Sequence, residues 1–218
     1  MIYRIFGRLL DGWIPAHFTS DAEQRWRARL LVLIATSGFL WGPAFAVIYF
    51  VTPETHWAGY FLIAIGLAAA ATPLVLRVSG SLDLATHWVL AVLFVSVVTV
   101  TGARGGFPVS ALLWSAVIPG LAVILARRRY LAIWLFLVTA NFIVIAMAPA
   151  WGFGFSERMS AAQMLALDLT GLIFFALFLT SIFTIYDHER RRVLDELRQA
   201  SRAKSEFLAR MSHEIRTP

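Results

Sequence analysis

Residues 163–186 read QMLALDLTGLIFFALFLTSIFTIY, and residues 187–211 continue as DHERRRVLDELRQASRAKSEFLARM. The first stretch is apolar but for Asp168 and a few hydroxyls. At 1.5 Å per residue, Gln163–Ile185 makes a helix long enough for a hydrocarbon core of ~30 Å. The second has neither proline nor glycine and is rich in Glu, Arg, Leu and Ala, which suits a continuous helix in water. The change at Asp187 therefore marks a change of solvent, from lipid to water, within what reads as one helix.

Working outward, the apolar pattern recurs upstream at Leu30–Val51, Trp57–Leu76, Leu84–Thr101, Val109–Ala126 and Tyr130–Ala148. With Gln163–Ile185 these make six candidate spans. The fourth is the shortest and needs Phe107 and Pro108 at the interface or little tilt. Composition agrees: 59% of the 218 residues are hydrophobic and 15% charged. The charges are nearly absent between Leu30 and Tyr186, a segregation that soluble domains do not show. The expected fold is all-α: a polytopic membrane protein with six transmembrane helices followed by a cytoplasmic coiled-coil-like helix. Its expected domains are an N-terminal segment (1–29), the transmembrane bundle (30–186) and a signalling helix (187–218).

Lys and Arg fix the expected topology. With the N-terminus in the cytoplasm, the inner side holds Arg4, Arg8, Arg25, Arg27, Arg29, Arg77, Arg127, Arg128, Arg129 and everything after the last span. The outer side holds only Arg104 and Arg158. That bias places both termini inside and demands an even number of spans. The connections are short, so a stimulus is expected to act within the membrane or at its outer rim.

The start does not read as a secretory signal. Ile2, Ile5, Phe6, Leu9, Leu10 and Trp13 share one helical face, opposite Arg4, Arg8 and Asp11. This suits a helix lying in the membrane interface, or equally a terminus that packs on the bundle. Pro43, Pro73 and Pro119, the last followed by Gly120, are candidate kinks, either static or hinging. Gly66 and Ala68–Ala71 offer a thin surface for close helix packing.

Several classes are excluded. The chain has no cysteine, so disulfides and thiolate chemistry are absent. The five histidines, His17, His56, His87, His188 and His213, are too scattered for a metal site, and none is expected. The net charge of +6 comes mostly from arginines that flank apolar spans. No recognition motif accompanies it, so the bilayer and not nucleic acid is the expected partner.

The last sixteen residues, Ala203–Pro218, read AKSEFLARMSHEIRTP. A neutral imidazole, with an ordinary pKa of ~6.5, is a good nucleophile near neutral pH. Attack on a γ-phosphate leaves a cationic ring that must shed its other proton, and Glu214 is placed to accept it. Pro218 removes a helical hydrogen bond just beyond. Upstream, Leu194, Leu197, Ser201, Lys204, Leu208, Met211 and Ile215 alternate three and four apart as a heptad seam, which implies a homodimer.

These residues closely resemble the phosphoacceptor box of the histidine kinase dimerisation domain. Every core position from Ser212 to Pro218 agrees, and the Phe207-Leu208 pair precedes them. The resemblance implies a bacterial sensor of a two-component phosphorelay in the inner membrane. It assigns His213 as phosphoacceptor, Glu214 as its acid-base partner, and Thr217 as the position used when the response regulator is dephosphorylated. It also implies a response regulator receiver domain as partner. ATP and Mg are expected on a catalytic domain missing from these residues, so the chain by itself is expected to bind no cofactor and to be inactive. Its ending within the motif is expected to reflect a fragment of a longer kinase.

The membrane part resembles, more loosely, the compact sensors of some quorum-sensing kinases and membrane-bound cyclases, through its architecture and the stretch Gly105–Trp114. That resemblance assigns no ligand. From the residues themselves, Asp168, Asn141, Ser110 and Trp114 form a polar set in the outer half of the bundle, beneath Arg104. A carboxylate facing lipid costs ~2.5–3.5 kcal/mol, so Asp168 is expected to face inward. It either lines a ligand cavity with Asn141, aromatic residues holding an apolar tail, or serves packing by pairing with Arg104 or Arg158. A transporter-like bundle, or a pure membrane anchor for the kinase, are the alternative functions.

Overall fold

A computed structural model describes residues 12–18, 21–51, 53–104, 109–126, 128–152 and 160–216. Among them every regular element is helical, and no strand occurs. The elements are α1 (Ala22–Phe50), α2 (His56–Ala70), α3 (Thr72–Ser79), α4 (Leu82–Arg104), α5 (Val109–Leu125), α6 (Leu131–Met147) and α7 (Ala161–Arg216), joined by short 3₁₀ turns. The chain forms two compact units, one ending at Phe178 and the other beginning at Leu179.

Local chemistry sets the helix ends. The Asp21 carboxylate accepts from the Glu23 N–H at 3.0 Å and caps α1, so that helix starts well before the apolar run. Ser160 and Gln163 form a reciprocal capping box at the start of α7: the Ser160 N–H donates to Gln163 Oε1 at 2.9 Å, and the Gln163 N–H to Ser160 Oγ at 3.3 Å. Gly80 ends α3 in the left-handed conformation, with φ 58°, where a side chain would be strained.

The second apolar stretch, expected as one span, breaks into α2 and α3 with a bend of 41°. Pro73 is the cause. It lacks the N–H that would bond the Ala69 carbonyl, and the Thr72 hydroxyl donates to that carbonyl instead, at 2.7 Å. The Trp88 indole N–H reaches across from α4 to the neighbouring Ala68 carbonyl at 2.9 Å. Pro43 and Pro119, by contrast, sit inside α1 and α5 without ending them.

Three helical stretches, Glu23–Phe50, Leu82–Arg104 and Ala161–Thr184, are long and apolar enough to cross a membrane, and the bent α2–α3 pair makes a fourth if counted as one span. The remaining two apolar helices, α5 and α6, have 17 residues each and reach only ~26 Å at 1.5 Å per residue. The outward surface is apolar, with Tyr60, Phe61, Val78, Leu135 and Phe136 all exposed. Soluble monomers avoid such a surface. The chain thus has the character of a membrane protein.

Small residues draw α1 and α2 together. A Cβ placed on Gly42 would lie 2.5 Å from the Leu62 carbonyl oxygen and 3.0 Å from Gly66 Cα. Next to this crossing, Ala46, Tyr49, Ala58, Leu62, Ala103 and Leu167 form a buried core drawn from α1, α2, α4 and α7.

Candidate functional site

Two ionic groups occupy opposite ends of α4. At its start, Asp83 lies 3.8 Å from Arg27 of α1 and 4.0 Å from Arg129. The Arg27 guanidinium also donates to the Leu125 carbonyl, its Nε at 3.0 Å. It thereby satisfies a carbonyl at the end of α5 that has no helical partner. At the far end, the buried Arg104 makes a bidentate pair with Asp168 of α7: Nη1 to Oδ1 at 2.8 Å and Nη2 to Oδ2 at 3.1 Å. Arg104 Nη2 further donates to the Met164 carbonyl at 3.3 Å. Asp83 and Arg104 stand 21 residues apart on one helix, ~32 Å at 1.5 Å per residue, which matches the hydrocarbon thickness.

Ser110, at the start of α5, donates to Asp168 Oδ1 at 3.0 Å. One turn on, the Trp114 indole N–H donates to the Gly171 carbonyl at 3.4 Å. Gly171 makes this approach feasible, since a Cβ there would sit 2.6 Å from Ser110 Cβ. Above this contact an aromatic cluster gathers. Trp41 meets Trp114 edge-on, with centroids 4.5 Å apart, and lies 4.6 Å from Phe174. Trp114 lies 5.1 Å from Phe178. These separations fall within the favourable range for aromatic pairs.

The cluster borders a cavity of about 130 Å³ between α1, α2, α4, α5 and the first part of α7. Its wall includes Trp41, Phe45, Val97, Ser110, Trp114 and Phe178. Comparison with known proteins gives no match: no family model, no curated protein and no solved structure resembles the chain closely enough to count. Its chemistry has to be read from its own residues.

The expected polar set is therefore brought together in part. Ser110 and Trp114 line the cavity, and Asp168 stands behind Ser110, one hydrogen bond away. The carboxylate is paired with Arg104, one of the two partners expected for a packing role. Asn141, half-buried on α6, is not in the cavity wall. Arg158, Phe107 and Pro108 lie outside the described residues, as do residues 1–11 of the amphipathic start. From that start, Gly12 and Trp13 are seen against Arg77, which donates to the Gly12 carbonyl at 2.7 Å and stands over the Trp13 ring at 5.8 Å. His213 and Glu214 fall in the last turns of α7, while Thr217 and Pro218 lie outside the described residues. Among the described residues no cluster of metal-ligating side chains occurs.

Sequence reasoning did not single out Trp41, Phe45, Phe178 or Tyr49. Nothing in an apolar span distinguishes an aromatic that faces the bundle from one that faces lipid. Tyr49 is fully buried close to the charges of Arg104 and Asp168, and its hydroxyl finds no hydrogen-bond partner among the described residues.

Proposed function

We propose that the chain is the membrane-embedded input part of a bacterial sensor histidine kinase in a two-component phosphorelay. The observation that carries this reading is the string Ser212–Pro218 at the end of α7, a helix that begins at Ala161 among the membrane-suited segments. In the parent protein, His213 attacks the γ-phosphorus of ATP and ADP leaves. Glu214 takes the ring proton, and the phosphoryl group then passes to the receiver domain of a response regulator. Thr217 would position water for a separate phosphatase step, in which the response regulator's phosphoryl group is hydrolysed to inorganic phosphate. ATP and Mg would be held by a catalytic domain outside these residues.

In this proposal the bundle spans the inner membrane six times with both termini in the cytoplasm. The short helices α5 and α6 would cross with little tilt. The spacing of the Asp83 and Arg104 groups supports this placement, because it sets one ionic cluster at each rim. Pairing through the seam would make the parent a homodimer. A stimulus would act by favouring one arrangement of the α5–α7 contact over another, which requires different affinities for the two.

The test is direct. Incubated with radiolabelled ATP, the intact parent should become labelled, and the H213Q form should show no label above background. Equal labelling of the two forms would overturn the reading.

A further inference from the structure

Apart from the indole N–H groups of Trp41 and Trp114, the polar side chains of the cavity wall are three serines, and all three hydroxyl protons are already committed. Ser37 donates to the Ile34 carbonyl at 2.7 Å, Ser96 to the Leu93 carbonyl at 2.6 Å, and Ser110 to Asp168 Oδ1 at 3.0 Å. A hydroxyl that has given its proton retains only acceptor lone pairs. The serines therefore offer acceptors to an occupant, and the wall holds no cationic side chain to offset the cost of burying an anion. The volume of about 130 Å³ is close to that of an engineered apolar cavity of ~150 Å³ that takes up benzene. The rings of Trp41, Trp114 and Phe178 supply faces and edges for a further ring.

We propose that this cavity binds a small uncharged molecule of single-ring size carrying one hydrogen-bond donor, a hydroxyl or N–H, which it gives to Ser110 Oγ. This deepens the sensor reading and rests on it for its biological meaning. Ser110 and Trp114 are also the residues through which α5 touches α7 at Gly171. An occupant seated on them bears on the contact that positions the start of α7. An apolar molecule without a donor fits the space but leaves the serine lone pairs unanswered. A carboxylate would be buried with no cation in the wall to pair with it.

The test uses the whole chain in lipid nanodiscs, with three fluorinated probes followed by fluorine NMR: 4-fluorobenzyl alcohol, 4-fluorotoluene and 4-fluorobenzoate. Partition into lipid is not saturable, so the saturable component reports the cavity. The alcohol should bind about tenfold more tightly than the toluene, the worth of one neutral hydrogen bond of ~1.4 kcal/mol. The benzoate should show no saturable component. Ser110→Ala should bring the alcohol to within about threefold of the toluene. Ser96→Phe, which fills the space from a residue bonded only to its own helix, should remove saturable binding of all three. Toluene binding as tightly as the alcohol, tightest binding by the benzoate, or saturation surviving in Ser96→Phe would each overturn the proposal. The comparison of probes on the unaltered chain stands even if Ser110→Ala fails to fold. No ATP enters the assay, so its failure leaves His213 labelling untouched, and loss of the kinase reading leaves the binding result standing.

Discussion

Replacing Asp168 with alanine takes both carboxylate acceptors from the Arg104 guanidinium, leaving it, among the described residues, the Met164 carbonyl at 3.3 Å. The Arg104 side chain is 6% exposed and that of Asp168 25%. Breaking a buried pair by removing one partner costs ~3–5 kcal/mol, because the remaining charge stays buried without compensation. The partial exposure of Asp168 lets the orphaned arginine recover some hydration, so we expect less than that range, about 2–3 kcal/mol. Arg104→Met should cost less, since it removes the charge that is harder to bury and leaves the more exposed one. With Arg104→Met at about 1–2 kcal/mol, the double variant should lie within about 1 kcal/mol of the unaltered protein, giving a coupling of at least about 2 kcal/mol. Unfolding of the chain in mixed micelles by increasing detergent fraction, followed by circular dichroism, measures all four stabilities. A coupling below about 0.5 kcal/mol would show that the two side chains do not act as a buried pair, and the account of this end of the bundle would be wrong.

The remaining expectations concern packing. Gly42→Ala should destabilise the bundle by about 1–3 kcal/mol in the same assay, because the added methyl meets the Leu62 carbonyl oxygen at 2.5 Å, where backbone must move. Gly120→Ala, whose Cβ meets nothing within 4 Å, should instead stabilise by about 0.5–1 kcal/mol through helix propensity. If Gly42→Ala stabilised the bundle as Gly120→Ala should, the close α1–α2 crossing would be refuted. Tyr49→Phe removes a buried hydroxyl that has no partner among the described residues. It should leave stability unchanged or raise it by up to about 1 kcal/mol, and a loss of more than 1 kcal/mol would show that the hydroxyl is hydrogen-bonded.

Much of the helical layout was legible in the sequence, since hydropathy reports the solvent of each segment directly. The break at Pro73 was legible only as a candidate kink, because Pro43 and Pro119 carry the same signal and do not end their helices. What separates them is local: at Pro73 the Thr72 hydroxyl stands ready to take the freed carbonyl. The inward orientation expected for Asp168 followed from the cost of a carboxylate in lipid, but the choice between Arg104 and Arg158 did not. Both arginines were expected in connections on the same side of the bundle, and sequence distance says nothing of which side chain reaches the carboxylate. Asn141 was grouped with Asp168 by depth alone, and depth does not specify helix rotation.

By itself, then, the sequence determined the all-helical class of the fold and its membrane character. These depend on the solvent around each segment and on local residue types, which are written in order along the chain. The tertiary structure alone decided which faces turn inward. It closed Arg104 on Asp168, set Ser110 against Gly171, and left a cavity among Trp41, Trp114 and Phe178. The reason is physical: when both lipid and protein interior are apolar, hydrophobicity no longer distinguishes inside from outside. Shape and the few polar groups then choose the partners.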